Sequence, residues 1–435
     1  MPGLRRDLDE LVRIPSVSIP GRIDEPLLSA CDLVAELFAD AGVQVGHLDL
    51  PGTAPVVVGH IPAPPGAPTV LLYSHYDVVP VGDERAWSSP PFEPTERDGA
   101  IFGRGAADTK SNIVAHLGAL RAWEGRPPVG IKLCIEGHEE VGSGGLTSYA
   151  AADPELLRAD TLIIGDSGNL EPGMPTFTVA LRGIGDVIVE ARTLASGKHS
   201  GQYGGAAPDA LLALLAALAT LHDERGDVAV KGLRRNEWPG TEQSEEQFRE
   251  LAEVVAGVPL IGTGGLGSRI WSGPAITVVG LDVPPVDAAV RAVSPYARAA
   301  LNVRVHPEQK GAEAQAAVIE HLRAVRPFGI ALDVSASTVG NGFSAATDGP
   351  AYAAARAAWS QAWDAEVVLA GSGGSIPLLA GLTAGQPRAE ALIVGTTDGY
   401  ANIHGPNERV LLDEFEKATL AEADFFGHYA QAFAR

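Results

Sequence analysis

TVLLYSHYDVVP, residues 69–80, opens with an unbroken run of strand-forming side chains, Thr69 to Ser74, and then changes abruptly to His75, Tyr76 and Asp77. Runs of the same kind occupy Pro55 to His60, Gly130 to Ile135 and Thr161 to Gly165. None alternates apolar with polar residues, the pattern of strands covered on both faces. Between the runs, Glu25 to Ala41 and Lys110 to Trp123 carry apolar residues at helical spacing and predict crossover helices. The first 175 residues therefore read as α/β, with most strands interior.

From Thr176 the pattern changes. A long strand-like run, FTVALRGIGDVIVEAR, leads into the Gly-rich loop Ser196 to Gly205 and an Ala/Leu-rich helix from Pro208 to His222. Further on come a helix at Gln247 to Val255, strands at Ala275 to Val279 and Ala299 to Val305, a helix at Glu313 to Arg323 and a strand at Ala331 to Ser337. That inventory is α+β. After Gly342 the chain returns to a helix at Pro350 to Trp363, strands at Val367 to Leu369 and Ala391 to Val394, and a closing helix from Asp413. The prediction is one α/β domain, residues 1–175 and 343–435, interrupted by an inserted α+β domain, residues 176–342. Arg234 to Glu250, the most polar stretch, is expected to be a mobile excursion with no chemistry.

The chain has 435 residues, 46% hydrophobic, and 32 basic against 54 acidic residues give a formal net charge of −22. A chain of this length builds its core without disulfide staples. Cys31 and Cys134 sit in apolar surroundings without metal-ligand spacing and read as reduced, buried thiols, which points to a cytoplasmic protein. The opening MPGLRRDLDELVRIPSVSIP has no apolar core of a secretory signal and reads as mature protein. The longest apolar stretch, near Ala206 to Leu221, is broken by Pro208 and Asp209 and is too short to span a bilayer, so no membrane is expected. Scattered Lys and Arg exclude a nucleic-acid partner, because counterion-release binding needs clustered cations.

The groups able to carry chemistry are His75, Glu139 with Glu140, Asp166 and His404, which fall beyond strands of the first and last segments, and Asp108, in the tight turn GRGAAD. In an open α/β sheet, such positions meet in the crevice outside the carboxyl ends of the strands. Two imidazoles and several carboxylates without thiolate suit zinc, manganese or cobalt. A two-metal site is favoured, with Asp108 bridging ions about 3.5 to 4 Å apart, so that a shared water is acidified. Of the adjacent Glu139 and Glu140, one would ligate while the other moves protons. The Asp77 carboxylate would accept the second N–H of His75 and fix its tautomer. Taken singly, each has an ordinary explanation: Glu-Glu as a surface pair, Asp166 as a turn residue, His199 as a loop histidine. His47, His60, His116, His222, His306, His321 and His428 read as structural. It is the joint occurrence that favours a site.

LLYSHYDVVP, WSSPPFEP, GRGAADTK, IEGHEEVGS, KHSGQYGG, LNVRVHP, GGSIP and IHGPNER together resemble the co-catalytic zinc peptidase and amidohydrolase family of carnosinases, glutamate carboxypeptidase, aminoacylase and succinyl-diaminopimelate desuccinylase. The resemblance covers essentially the whole chain. It implies a catalytic domain with a mixed, mostly parallel sheet covered by helices, and an inserted lid that forms a homodimer. It further implies that His75 and Asp166 complete one metal, Glu140 and His404 the other, with Asp108 bridging and Glu139 as base. His199 resembles the lid histidine that serves the partner subunit's site as an oxyanion donor. Arg304 resembles the arginine that grips the substrate carboxylate, helped by Gly373, Gly374 and Ser375.

Where this family commonly has Asp-Asp-Lys-Gly, the chain has Asp108-Thr109-Lys110-Ser111, which keeps the bridge and removes a neighbouring charge. His138 stands where an uncharged residue is usual, and as an imidazolium it would lower the pKa of Glu139. Asp166, rather than Glu, resembles the dipeptidase branch. The expected function is thus hydrolysis of dipeptides or short peptides with a free carboxylate, through a metal-bridging hydroxide and the base Glu139, with two divalent ions, zinc first and manganese or cobalt as alternatives. The competing readings are an N-acyl amino acid deacylase of the acetylornithine or succinyl-diaminopimelate type using the same site, and a metal-binding protein of this fold without turnover.

Overall fold

Four of the apolar runs become the parallel centre of one sheet: Gly130–Glu136, Thr69–His75, Thr161–Gly165 and Glu390–Val394, side by side in that order. The computed structural model describes residues 1–153, 155–374 and 376–434. Thr69–His75 is buried from Val70 onward and Thr161–Gly165 throughout, as strands with two covered faces require. Val56–Ile61 and Gln44–Leu48 extend the sheet antiparallel on one side. Thr176–Leu181 adds antiparallel beyond Glu390–Val394, so the sheet is mixed and mostly parallel, as the resemblance implies.

The chain divides into two compact units. The first comprises Met1–Val179, Ala345–Ala370 and the segment from Ile376 to the C-terminal end; the second comprises Ala180–Ser344 and a short segment beginning at Gly371. The sequence places the corresponding divisions after residues 175 and 342.

In the first unit, the helices Ser111–Ala122, Pro350–Trp363 and Leu412–Phe433 contribute to one apolar core with the sheet. Ser111–Ala122 is buried all the way from Ser111 to Leu120, which explains why it carries no polar stripe. Phe177 packs edge-on against Tyr352 and Trp359, with ring centroids 5.9 and 5.6 Å away. Cys31 and Cys134 are buried and unbridged. No helix among the described residues is long and apolar enough to cross a membrane.

The second unit is built on an antiparallel sheet in the order Ala275–Asp282, Tyr296–Val305, Gly183–Arg192, Asp333–Gly340. Gly183–Arg192 alternates buried with half-buried residues, and its buried Val187, Val189 and Ala191 join Leu214, Val318 and Leu322 of the helices Ala210–Leu218 and Gly311–Ala324 in a separate core. The polar stretch Arg234 to Glu250 is packed here rather than a free excursion. Trp238 sits edge-on to Trp271 at 5.2 Å, its backbone N–H donates to Ser268 Oγ at 3.0 Å, and Ser244 caps the helix Glu245–Leu251. The tryptophan supplies the apolar anchor that a count of charges conceals.

Candidate metal centre

Because the four central strands are parallel, their carboxyl ends lie along one edge of the sheet, and the chemistry-bearing residues collect there. His75 is the last residue of its strand, and Asp166 directly follows Gly165. Glu139 and Glu140 open the single tight turn Glu139–Val141, three residues beyond Gly130–Glu136. Asp108 lies in the turn Ala106–Lys110 that feeds the helix Ser111–Ala122. That turn needs glycine at 105: its φ is +80°, and a Cβ there would come within 2.6 Å of Val78 Cγ1. His404 differs from expectation. It stands in a loop between the short strands Thr397–Asp398 and Arg409–Leu411, not at a strand end, with φ +61° between Asn402 and Asn407 at +54° and +59°.

Asp108 is the centre of the arrangement. Its Oδ1 lies 3.1 Å from His75 Nε2 and its Oδ2 lies 3.1 Å from His404 Nε2, so one carboxylate offers one oxygen to each imidazole. His404 Nε2 is also 3.1 Å from Glu140 Oε2, and His75 Nε2 is 3.5 Å from Asp166 Oδ1. Two overlapping sets bring potential ligand atoms within 4.8 Å of one another: His75, Glu139 and Asp166, and His75, Asp108 and Glu140. Glu139 and Glu140, adjacent in the chain, thus face different sets.

The electrostatics ask for cations. Burial would raise Asp108, but hydrogen bonds from His404 and His75 outweigh it and hold the carboxyl well below the ordinary range. Burial would lower His75, yet Asp108, Asp166 and Asp77 hold it well above the usual imidazole value. Asp108 and Glu140 push His404 up to about 10 against the effect of burial. Burial pushes Asp166 up to about 6 despite His75, and burial followed by the charge of Asp166 pushes Glu139 well up. His138, expected to lower Glu139, is not among the groups that set it; burial and like charge decide the direction. Glu140 Oε1 is buried and has no hydrogen-bond partner among the described residues. Nitrogen and oxygen donors without thiolate, an orphaned carboxylate oxygen and crowded acids fit divalent metal. Binding would replace the protons on the imidazoles, which ligate only as neutral rings.

Asp77 does more than expected. The nearer acceptor for His75 Nδ1 is the main-chain oxygen of Asp77, at 2.9 Å, whereas the carboxylate Oδ1 is 3.5 Å away. The fully buried carboxylate also accepts the backbone N–H of Glu139 at 3.2 Å and of Glu140 at 3.1 Å. A two-residue separation lets the backbone fold back on its own imidazole, and this frees the side chain to hold the Glu pair.

The remaining candidates belong to the second unit. His199 is exposed in the short strand Lys198–His199, paired with Ala292–Val293, and its Nδ1 accepts from Gly201 N at 3.1 Å. Arg304 lies on Tyr296–Val305 with Nε 3.3 Å from Asn302 Oδ1. Gly374 N donates to Ser372 Oγ at 3.1 Å, and Ser375 lies outside the described residues. Sequence reasoning passed over Arg182. Its Nε and Nη1, like Arg304 Nη1, are buried without a partner among the described residues, and burial together with the charge of Arg304 lowers it to about 10. The signal was the arginine in the apolar run TVALRG.

Residues 71–427 match the model of peptidase family M20/M25/M40, a span that includes every residue of the cluster. The chain belongs to this family. A cysteinylglycine-S-conjugate dipeptidase of Corynebacterium striatum is 41% identical over 370 residues, 83% of this chain and 81% of the relative. A Beta-Ala-His dipeptidase of Rattus norvegicus is 26% identical over 401 residues, 85% and 82% of the two chains. The fold is shared with human carnosine dipeptidase 1, at TM-score 0.82 and 23% identity over 99% of this chain and 96% of that one. It is shared equally with an M20 family metallo-carboxypeptidase from Sulfolobus solfataricus, at TM-score 0.82 and 24% identity over 99% and 100%. This M20 protein is therefore a metal-dependent peptidase. Its relatives accord with the dipeptidase branch indicated by Asp166, and the deacylase reading is not favoured.

Proposed function

We propose that this M20 peptidase hydrolyses the amide bond of dipeptides or short peptides bearing a free carboxylate, using two divalent ions. Zinc is the first choice, with manganese or cobalt as alternatives. The observation that carries the reading is Asp108, whose two oxygens address two separate imidazoles. His75 and Asp166 would hold one ion, Glu140 and His404 the other, and Asp108 would bridge. Such a pair supplies Lewis acidity, acidifying a shared water and polarising the scissile carbonyl.

Glu139 then serves as base and acid. Its raised proton affinity suits it to take a proton from the attacking water and return it to the departing amine. Asp77 keeps the backbone of Glu139 and Glu140 fixed while the proton moves. Arg304, with Arg182 beside it, provides guanidinium donors for the substrate carboxylate, the bidentate task at which arginine exceeds lysine. A homodimer through the second unit, with His199 donating to the developing oxyanion, belongs to the same reading. So does a cytoplasmic location, in keeping with the free thiols Cys31 and Cys134.

The test is a substrate panel with the metal-loaded protein: Cys-Gly, an S-conjugate of Cys-Gly and β-Ala-His against N-acetyl and N-succinyl amino acids. The dipeptides should be cleaved and the acyl amino acids spared. Glu139→Gln should keep its metal by elemental analysis and lose about two to four orders of magnitude in kcat. Turnover of acyl amino acids alone, or an undiminished Glu139→Gln, would reject the proposal.

A further inference from the structure

The motif IHGPNER contains one more acidic residue than the metal reading uses, Glu408, and the structure gives it an unusual environment. Its side chain is wholly buried, and four N–H groups converge on its two oxygens. Oε1 accepts from the backbone N–H of Ala107 at 2.9 Å and of Asp108 at 3.0 Å. Oε2 accepts from Gly105 N at 3.1 Å and from Arg104 Nη1 at 2.5 Å. The guanidinium of Arg104 reaches on to the main-chain oxygen of Gly405, next to His404, at 3.1 Å through Nη2. Gly103 N closes the loop on the main-chain oxygen of Glu408 at 3.0 Å.

A third motif joins the same knot. Arg104 N donates to Pro91 O at 2.8 Å, and its guanidinium lies 5.2 Å from the centroid of the Trp87 ring. Asn407, the neighbour of Glu408, accepts from Ser88 N at 2.8 Å and donates to Ala86 O at 3.1 Å. WSSPPFEP, GRGAAD and IHGPNE are thus sewn together by side chains that touch no reacting atom. A buried carboxylate meeting four donors is strongly held and strongly oriented, because charge-assisted bonds are about twice as strong as neutral ones. Losing any acceptor there would leave a buried N–H unsatisfied.

We propose that Glu408, locked by Arg104, is the positioning residue that fixes the Asp108 carboxylate and the His404 ring at their mutual distance. The inference rests on Asp108 being the bridging ligand. Through Oε1, Glu408 sets the backbone from which Asp108 projects, and through Arg104 and Gly405 it sets the backbone from which His404 projects. One buried ion pair therefore registers two loops that are far apart in the chain and must present ligands to the same ion.

Glu408→Gln is close to isosteric but has a single acceptor oxygen, so its amide must face N–H groups that need an acceptor. Arg104→Lys keeps the charge pair and cannot also reach Gly405. The experiment loads metal-stripped full-length protein with cobalt(II), measuring affinity by chelator competition and the visible ligand-field spectrum. Both variants should retain wild-type far-UV circular dichroism, bind cobalt about 10- to 100-fold more weakly and, with excess cobalt restoring occupancy, still show displaced bands. A purely structural residue would lower thermal stability without moving the spectrum of the saturated site. Wild-type affinity and spectrum in Glu408→Gln overturn the proposal, and if that variant does not fold, the same result in Arg104→Lys does so. Asp108→Asn separates the two ideas: if it binds cobalt as wild type does, the bridging reading fails. If it loses metal while the Glu408 and Arg104 variants match wild type, only the positioning role fails.

Discussion

Asp77→Asn tests how much of the metal centre depends on a residue that touches no metal. In the native protein the carboxylate accepts the N–H of Glu139 at 3.2 Å and of Glu140 at 3.1 Å, one on each oxygen. Asparagine keeps the shape but only one acceptor, so one of these half-buried N–H groups must face an amide NH2. An unsatisfied buried donor costs about 1 to 3 kcal/mol, and bonds to a charged acceptor lie in the upper part of that range. About 1.4 kcal/mol corresponds to a factor of ten, so metal affinity should fall by about 10- to 100-fold. The imidazole of His75 is spared, because its Nδ1 is held by the main-chain oxygen of residue 77, which the substitution leaves in place. The metal-free protein should not be destabilised to the same extent, since removing one negative charge relieves a crowded acidic site. Chelator competition for zinc, with melting curves of the stripped and loaded forms, distinguishes these effects. If Asp77→Asn bound metal within about twofold of wild type, the argument that this carboxylate sets the Glu pair through its N–H groups would be refuted.

Replacing Arg182 by Met should raise KM for dipeptides by about tenfold or more with little change in kcat, and should leave the melting temperature of the free protein unchanged or higher, since two buried guanidinium nitrogens without a partner among the described residues are removed; an unaltered KM would end its role in carboxylate binding. Gly137→Ala places a methyl within 2.3 Å of Cζ, Cε2 and Oη of the fully buried Tyr76, whose hydroxyl is tied to Pro55 O at 2.6 Å. Overpacking of this kind costs about 1 to 3 kcal/mol, and calorimetry showing a wild-type melting temperature would contradict it. Glu136 gives a pH signature: burial and the charge of Asp77 push it from 4.5 up to about 7. A raised acid contributes stability that is complete below its unfolded pKa and lost as pH rises through the folded one. The stability of Glu136→Gln relative to wild type should therefore climb between pH 4.5 and about 7 and then level off, and a flat difference in melts with chelator present would count against the burial argument.

How much of this could be read in the sequence depended on range. The parallel strands were legible as apolar runs, and two of them stop at a residue with chemistry, Thr69–His75 at His75 itself and Thr161–Gly165 just before Asp166. The opposite failure is His404, whose loop is shaped by left-handed residues and not by a strand. Some local signals went unused. Pro2–Arg13 buries Leu8, Leu11 and Val12 at helical spacing, and Asp98-Gly99 turns the hairpin Thr95–Arg97 and Ala100–Phe102 with φ +51° and +73°. Other facts had no local signal at all. Nothing near Glu408 announces four donors supplied by residues about three hundred positions earlier, and nothing near Asp77 reveals that its main-chain oxygen lies nearer to His75 than its carboxylate does. Motifs report which residues are needed; the partner that aims each of them is chosen by the fold.

That division bears on why the centre is so acidic. Five carboxyl groups, those of Asp77, Asp108, Glu139, Glu140 and Asp166, surround two imidazoles, and burial raises Glu139 and Asp166 because the site lacks charge to balance them. A site built for stability alone would place arginine or apolar residues there. Instead, the cations that are buried near it point elsewhere: Arg104 to Glu408, and Lys110 Nζ to the main-chain oxygens of Leu11 and Ile14 at 2.9 and 2.8 Å. With these two cations engaged elsewhere, only the imidazoles of His75 and His404 face the carboxylates, and a divalent ion can displace their protons. The free energy that metal binding releases also stabilises the fold, by about 4 kcal/mol when the ion exceeds its dissociation constant a thousandfold. The fold therefore tolerates charge crowding at this site because the same crowding creates the affinity that relieves it.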